Sequence, residues 1–78
     1  MKLWLISQTI NCGCDTYDSA VVAAETEEAA RRMSPDGVID PDIVTVRWAS
    51  LMDIHVEYLG EAREGHPAGV VCASFNAG

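Results

Sequence analysis

Three cysteines and two histidines are the residues of this chain best suited to metal binding or to nucleophilic chemistry. They are Cys12, Cys14, Cys72, His55 and His66. Zinc takes four Cys or His donors in a tetrahedron, and structural sites usually place about two to four residues between paired cysteines. Here a single residue separates the first two cysteines, and no second pair follows them. The spacing therefore argues against a metal site.

A cysteine nucleophile requires a nearby histidine that holds the thiol as a thiolate. Cys72 and His55 could be neighbours on adjacent strands. However, the apolar residues around Cys72 favour a small core residue, and the alternation around His55 directs its side chain to water. His66, beside Pro67, is typical of a solvated turn. We therefore expect no catalytic thiol.

The acidic residues and the glycines do not indicate an active site either. A general acid needs a carboxyl group that is desolvated in a cleft, and a domain of 78 residues rarely forms one. The six glycines match neither the dinucleotide-binding nor the phosphate-loop spacing. We predict a protein that is not an enzyme and that has no catalytic residue, no cofactor and no metal ion.

Length and charge place the chain among small acidic folded domains. The sequence has 12 Asp and Glu against 5 Lys and Arg, a net charge of -7, and 49% hydrophobic residues, too many for an acidic disordered tail. We expect one domain over residues 1–78. The acid excess opposes direct binding to nucleic acid or to an anionic membrane. A short apolar run at Leu3 to Ile6 and an odd number of cysteines predict a cytoplasmic protein with reduced thiols.

The first half of the sequence predicts two strands and a helix. Apolar residues on both pleat faces of Lys2 to Ile10 favour a strand that is covered on both sides. Asn11 to Thr16 has the composition of a hairpin loop, and Tyr17 to Ala24 is typical of a second strand. Thr26 is a good N-cap for a helix to about Ser34, with acids in its first turn and two i,i+4 ion pairs. Its small apolar stripe, Ala29, Ala30 and Met33, should contact Leu and Val side chains of the two strands.

The second half predicts two further strands. Ile54 to Ala62 alternates between apolar and polar residues, with Leu59 as the exception, and Gly69 to Phe75 is rich in β-branched and small residues. Between the helix and these strands, Val38 to Trp48 is hard to interpret. A short strand over Ile43 to Trp48 and one helical turn at Ser50 to Asp53 are its candidate elements. The predicted fold class is α+β, with ββαββ order and a helix on one face of an antiparallel sheet of four to five strands.

Three segments carry a resemblance to a known group of proteins. They are YDSAVVAAETEEAARR at residues 17–32, YLGEA at residues 58–62 and ASFNAG at residues 73–78. Together they resemble a family of small uncharacterised proteins encoded by phages and prophages. Members often have His-Pro after the helix, where this chain has Ser34 and Pro35. The motifs are structural in type, so the resemblance implies a fold and a setting and carries over no catalytic residue.

The resemblance implies a function in the cytoplasm of a bacterial host. Small acidic phage proteins without catalytic residues often bind a host protein stoichiometrically. The chain is therefore expected to bind a host protein or defence complex and inhibit it, as anti-CRISPR proteins do. A subsidiary idea is that its acidic surface mimics nucleic acid. The alternative is a phage structural or housekeeping module that acts by self-association. A metal- or thiol-dependent enzyme is a third class.

Partner binding is expected to rest on exposed aromatic side chains with polar neighbours, because such anchors concentrate interface energy. The candidate partner-binding residues are Asp15, Tyr17, Asp18, Trp48, Phe75 and Asn76. Burial of Trp48 and Phe75 in the core is an equal alternative.

The two-sided apolar pattern of Lys2 to Ile10 also needs cover on the sheet face away from the helix. We expect a homodimer to supply it, with the segment Val38 to Met52 as the alternative.

Overall fold

The computed structural model of the chain describes residues 1–10, 15–35, 48–49 and 51–76. At residues 51 and 76 it describes the backbone alone. Most of the predicted loop at Asn11 to Thr16 and of the candidate strand at Ile43 to Trp48 lies outside the described residues, as do Ser50 and most of the segment Val38 to Met52.

Four antiparallel strands form one sheet. In order across the sheet they are β3, β1, β2 and β4, and every neighbouring pair is antiparallel. Their bounds are Lys2–Ser7 for β1, Thr16–Ala24 for β2, His55–Glu61 for β3 and Gly69–Asn76 for β4. With the helix described below, the chain is a small α+β protein, as the sequence predicts at this level. A single 3-10 turn at Leu51–Asp53 precedes β3, close to the predicted helical turn.

The first strand ends earlier than the predicted Ile10. After Ser7, the backbone N–H of Gln8 donates to the carbonyl of Asp18 at 3.1 Å, and its side-chain amide donates to the carbonyl of Tyr17 at 2.8 Å. The pairing of β2 with β4 is irregular at this same place, between Tyr17 and Ser19. The buried residue Gln8 thus satisfies two backbone acceptors where the regular ladder stops, one with its side chain and one with its backbone N–H.

The helix α1 is short, Glu27–Arg31, and it begins where the sequence predicts. The side chain of Thr26 accepts a hydrogen bond from the backbone N–H of Ala29 at 3.1 Å, which satisfies one of the free donors of the first turn. The predicted end near Ser34 is wrong. Arg32 is the C-cap, and the N–H of Met33 donates to Ala30 in a tighter turn, because Pro35 disfavours helical backbone just before it.

Both predicted ion pairs form along α1. Glu27 lies 3.6 Å from Arg31, and Glu28 lies 3.0 Å from Arg32. Arg31 also donates to the backbone carbonyl of Ile54, just before β3. This last contact connects the helix to the strand at one edge of the sheet.

The core lies between α1 and one face of the sheet, which we call the helix face. Its buried residues are Ile6, Ala20, Val22, Ala24, Ala30, Trp48 and Ile54. Ala30, fully buried, lets the helix lie close to the strands. The prediction that the helix packs on Leu as well as Val side chains is correct for Val22 only. By the alternation of β1, Leu3 and Leu5 belong to the opposite face.

The third strand carries an irregularity at the residue that broke its sequence pattern. Tyr58 pairs with Trp4 and Gly60 pairs with Leu3, so Leu59 is an extra residue in the ladder. Gly60 has a φ of 150°, which suits glycine far better than other residues. This bulge explains why the apolar alternation predicted over Ile54 to Ala62 fails at Leu59.

The capping hydrogen bond of Thr26 at the start of α1 can be tested by substitution. We expect Thr26→Ala to lower the free energy of unfolding by about 1 kcal/mol, because the N–H of Ala29 then loses its acceptor. Urea denaturation followed by Trp fluorescence measures the change. Thr26→Ser keeps the hydroxyl and should remain within a few tenths of a kcal/mol of the parent. Equal losses in the two variants would contradict the cap.

Candidate partner-binding surface

The edge strand β4 presents a run of exposed side chains. All side chains from Val70 to Phe75 are exposed, and the large apolar ones, Val70, Val71 and Phe75, keep 44–46% of their surface accessible. The cause is the position of the strand. The helix α1 packs on β1, β2 and β3, whereas β4 lies beyond β2 at the edge of the sheet.

The two edges of the sheet differ in charge. The edge strand β3 carries Glu57 and Glu61, and it has an inserted residue at Leu59. Such charges and bulges discourage another strand from pairing with an edge. The strand β4 also carries one inserted residue, Val71, in its ladder with β2, but its sequence GVVCASFN contains no charged residue and no proline. The difference between the two edges is therefore their charge. No described strand pairs with its outer side, so β4 is the edge that is open to a further strand.

Cys72 is exposed, and the prediction that it is a small core residue is wrong. On an edge strand that the helix does not reach, β-branched and small residues remain in contact with solvent. The possibility of a Cys72–His55 pair also fails. The two residues lie on opposite edges of the sheet, three strand spacings or about 14 Å apart. Within the described residues, no group of three or more Cys, His, Asp or Glu could hold a metal ion. Cys12 and Cys14 lie outside those residues.

A shallow groove follows β4 on the sheet face opposite the helix. It has a volume of about 190 Å³ and is lined mainly by small and apolar residues: Leu5, Ser19, Ala20, Val21, Cys72, Ala73 and Ser74. Among the described residues, no carboxylate or cation lines it. The groove therefore extends the neutral surface of β4 inward onto the sheet.

Four of the predicted partner-binding residues meet at one corner of the sheet. The rings of Tyr17 and Phe75 are 4.8 Å apart, and Phe75 is 45% exposed. Asp15 and Asp18 are exposed beside them at the start of β2. We call these four residues the acidic aromatic corner. The backbone of Asn76 pairs with Thr16 at the same end of the sheet.

Trp48 does not belong to this corner surface. It is 5% exposed and is part of the hydrophobic core under α1. Of the two alternatives stated for the aromatic residues, the structure therefore shows the core position for Trp48 and the exposed position for Phe75. A buried indole offers a partner almost no contact area.

At the opposite edge, Tyr58 interacts with an acidic neighbour. Its ring packs against Trp4 in an edge arrangement with centroids 5.4 Å apart, and its hydroxyl donates to a carboxylate oxygen of Glu61 at 3.1 Å. This hydrogen bond, with smaller effects of desolvation and of the carboxylate charge, raises the pKa of Tyr58 above its ordinary value. The phenol must give up the bond and stand beside a like charge when it ionises.

Apart from Phe75 and Asn76 at its end, sequence reasoning did not identify β4 as an exposed strand. Its apolar residues suggested burial, since hydropathy alone does not distinguish a central strand from an edge strand. One signal was present in the sequence: four of its eight residues are small, Gly69, Cys72, Ala73 and Ser74, and can fill little core volume. Strand order is needed to interpret that signal.

Comparison with known proteins returned no match to a family model, to a curated protein or to a solved structure. The resemblance to small phage and prophage proteins therefore stays a prediction. Among the described residues, no helix is long and apolar enough to cross a membrane.

The Tyr58–Glu61 pair can be tested by titration. We expect Glu61→Gln to lower the pKa of Tyr58 toward the ordinary value of tyrosine, because the ionised phenol no longer faces a carboxylate. Ultraviolet absorbance of the phenolate as a function of pH measures the change. A Tyr58→Phe variant assigns the titration step, since Tyr17 is the second tyrosine of the chain. An unchanged pKa in Glu61→Gln would contradict the hydrogen bond.

Proposed function

We propose that the chain is a non-enzymatic protein-binding module, and that the acidic aromatic corner is its contact surface for a basic protein partner. The observation that supports this is the corner itself: two touching aromatic rings, one of them half exposed, with exposed carboxylates of Asp15 and Asp18 beside them. Aromatic anchors with polar neighbours are the arrangement in which binding energy concentrates. The carboxylates favour association with a positively charged surface.

The partner follows from the resemblance to phage and prophage proteins. We propose a host protein or defence complex in the bacterial cytoplasm, which the chain binds stoichiometrically and inhibits, as anti-CRISPR proteins do. A net charge of -7 supports the choice of a basic target. A groove that normally holds nucleic acid is such a target, because carboxylates can occupy the positions of phosphates there. The chain itself then needs no direct contact with nucleic acid.

A second candidate function is a phage structural or housekeeping module that acts by self-association. The uncharged, exposed strand β4 is the observation that favours it. The two candidates use different surfaces. A partner of the corner is recruited by charge and aromatic contact, whereas self-association requires a surface from which the carboxylates of the chain are absent.

Charge reversal at the corner tests the first candidate. We expect Asp15→Lys with Asp18→Lys to abolish capture of the host complex from a cell lysate and to abolish protection of phage in plating assays. Binding by the parent chain should also weaken steeply between low and high salt. The unfolding midpoint of the variant shows whether it remains folded.

The matched control is Glu57→Lys with Glu64→Lys, which changes the net charge equally at two other exposed positions. This variant should keep most of the binding. Equal loss in the two double variants would mean that net charge acts without a specific corner. Unchanged phage plating in defence-positive hosts that express the parent chain would count against the inhibitor and leave self-association as the leading candidate.

A further inference from the structure

The outer side of β4 is a row of backbone donors and acceptors that no described strand satisfies. An edge of this kind is a template for strand addition, in which main-chain hydrogen bonds supply affinity and side chains supply selectivity. Apolar side chains remain exposed along the same strand, Val70, Val71 and Phe75. Strand pairing would satisfy the backbone and cover part of this apolar surface at once.

Charge identifies a second copy of the chain as the occupant. Two copies each carry a net charge of -7, so they repel wherever their carboxylates face each other. The strand β4 carries none, and no carboxylate of the part of the chain that the structure describes lines the groove beside it. A basic foreign partner would instead be drawn to the acidic surfaces. The row of backbone groups is also self-complementary about a two-fold axis, as the interface of a symmetric dimer must be.

We infer that two copies of the chain pair antiparallel through the outer edges of β4, about a two-fold axis at Ala73, and form a continuous eight-stranded sheet. Two-fold symmetry requires one residue to face its own equivalent across the interface. The strand runs from Gly69 to Asn76, so Cys72 and Ala73 are its two central candidates. A two-fold axis at either residue would pair the same length of strand.

Side chains select Ala73 over Cys72. With Ala73 at the axis, Phe75 faces Val71 of the second copy, which brings two half-exposed apolar side chains together. Cys72 then faces Ser74, and both line the same groove face. With Cys72 at the axis, Phe75 would face Gly69, and Val70 would face Ser74. The Ala73 axis thus pairs Phe75 with another large apolar side chain, whereas the Cys72 axis pairs Phe75 and Val70 with a glycine and a serine.

The same axis keeps the acidic ends of the two copies apart. The two Phe75 positions are four residues apart along the paired strands, or about 14 Å. The acidic aromatic corner of each copy therefore lies beside the start of β4 of the other, and Asp15 and Asp18 do not face their equivalents. Dimerisation leaves like charges separated, as an acidic chain requires.

The dimer is independent of the proposed inhibition and deepens the second candidate function. Pairing uses β4, and the host complex is proposed to bind at the corner. A monomeric variant that still captures the host complex would therefore support inhibition without the dimer, and a dimer that captures no host protein would do the opposite.

Mass measurement is the first test. We expect the parent chain to have twice its monomer mass by light scattering at micromolar concentration. Val71→Asp should raise the dissociation constant at least about tenfold, because a carboxylate then occupies an apolar interface. Leu59→Asp is the matched control. It places the same charge on a similarly exposed apolar residue of the other edge, 49% exposed, and should remain dimeric.

Disulfide trapping tests the register. In a chain with Cys12, Cys14 and Cys72 all replaced by Ser, Ala73→Cys should give a covalent dimer with diamide, because facing Cα atoms on paired strands are about 5 Å apart. A chain that retains Cys72 as its sole cysteine should form little covalent dimer. The Cα atoms of the two Cys72 residues would lie about 8 Å apart, beyond ordinary disulfide reach.

A monomeric parent chain would overturn the inference, as would loss of the dimer in Leu59→Asp but not in Val71→Asp. Trapping through Cys72 in preference to the cysteine at position 73 would overturn the proposed axis. Circular dichroism of Val71→Asp distinguishes loss of pairing from loss of folding. A folded monomer supports the inference, and the trapping experiment decides independently if the variant unfolds.

Discussion

The short reach of the helix is the constraint on which the rest of this structure depends. The helix of five residues is about 7.5 Å long and about 10 Å wide, whereas four strands at spacings of about 4.8 Å extend over about 14 Å, so the helix cannot cover all four strands in either direction. The helix α1 therefore covers the central strands and β3, and leaves β4 uncovered. The small side chain of Ala30 improves contact but adds no width. With this helix, the sheet has to place one strand beyond its own core.

That placement separates the parts of the sequence that stabilise the fold from the parts that are available for recognition. Ile6, Val22 and Trp48 are buried beneath the helix, and each removes apolar surface from water. The strand β4 is held mainly by its ladder with β2 and by the Tyr17–Phe75 contact. Its own side chains contribute little burial, and the proposed pairing with a second copy would cover part of their apolar surface.

Local signals in the sequence predict the elements well and their arrangement poorly. Thr26 and Pro35 bracket the helix because capping and proline sterics act within a few residues. Leu59 marks a bulge because it breaks an alternating pattern. Trp48 and Cys72 are different cases. Whether an apolar residue is buried depends on which strand lies beside which, and the order β3-β1-β2-β4 is a non-local property that no window of sequence contains. The corner was partly predictable, because hairpin residues of β2 suggested Asp15, Tyr17 and Asp18, but its pairing with Phe75 required the register.

The surfaces of this small sheet differ in charge and exposure, and they therefore favour different kinds of contact. The acidic corner and the carboxylates of β3 repel a second copy and attract a basic partner, whereas the neutral strand β4 has neither effect. In a chain of 78 residues, an uncharged exposed edge would favour indiscriminate strand pairing if nothing else limited it. The surrounding negative charge limits it, because only an approach that keeps the carboxylates of two copies apart is favourable. The acidity of this chain therefore restricts how its open edge can be used, and in the proposed function it also favours a basic partner.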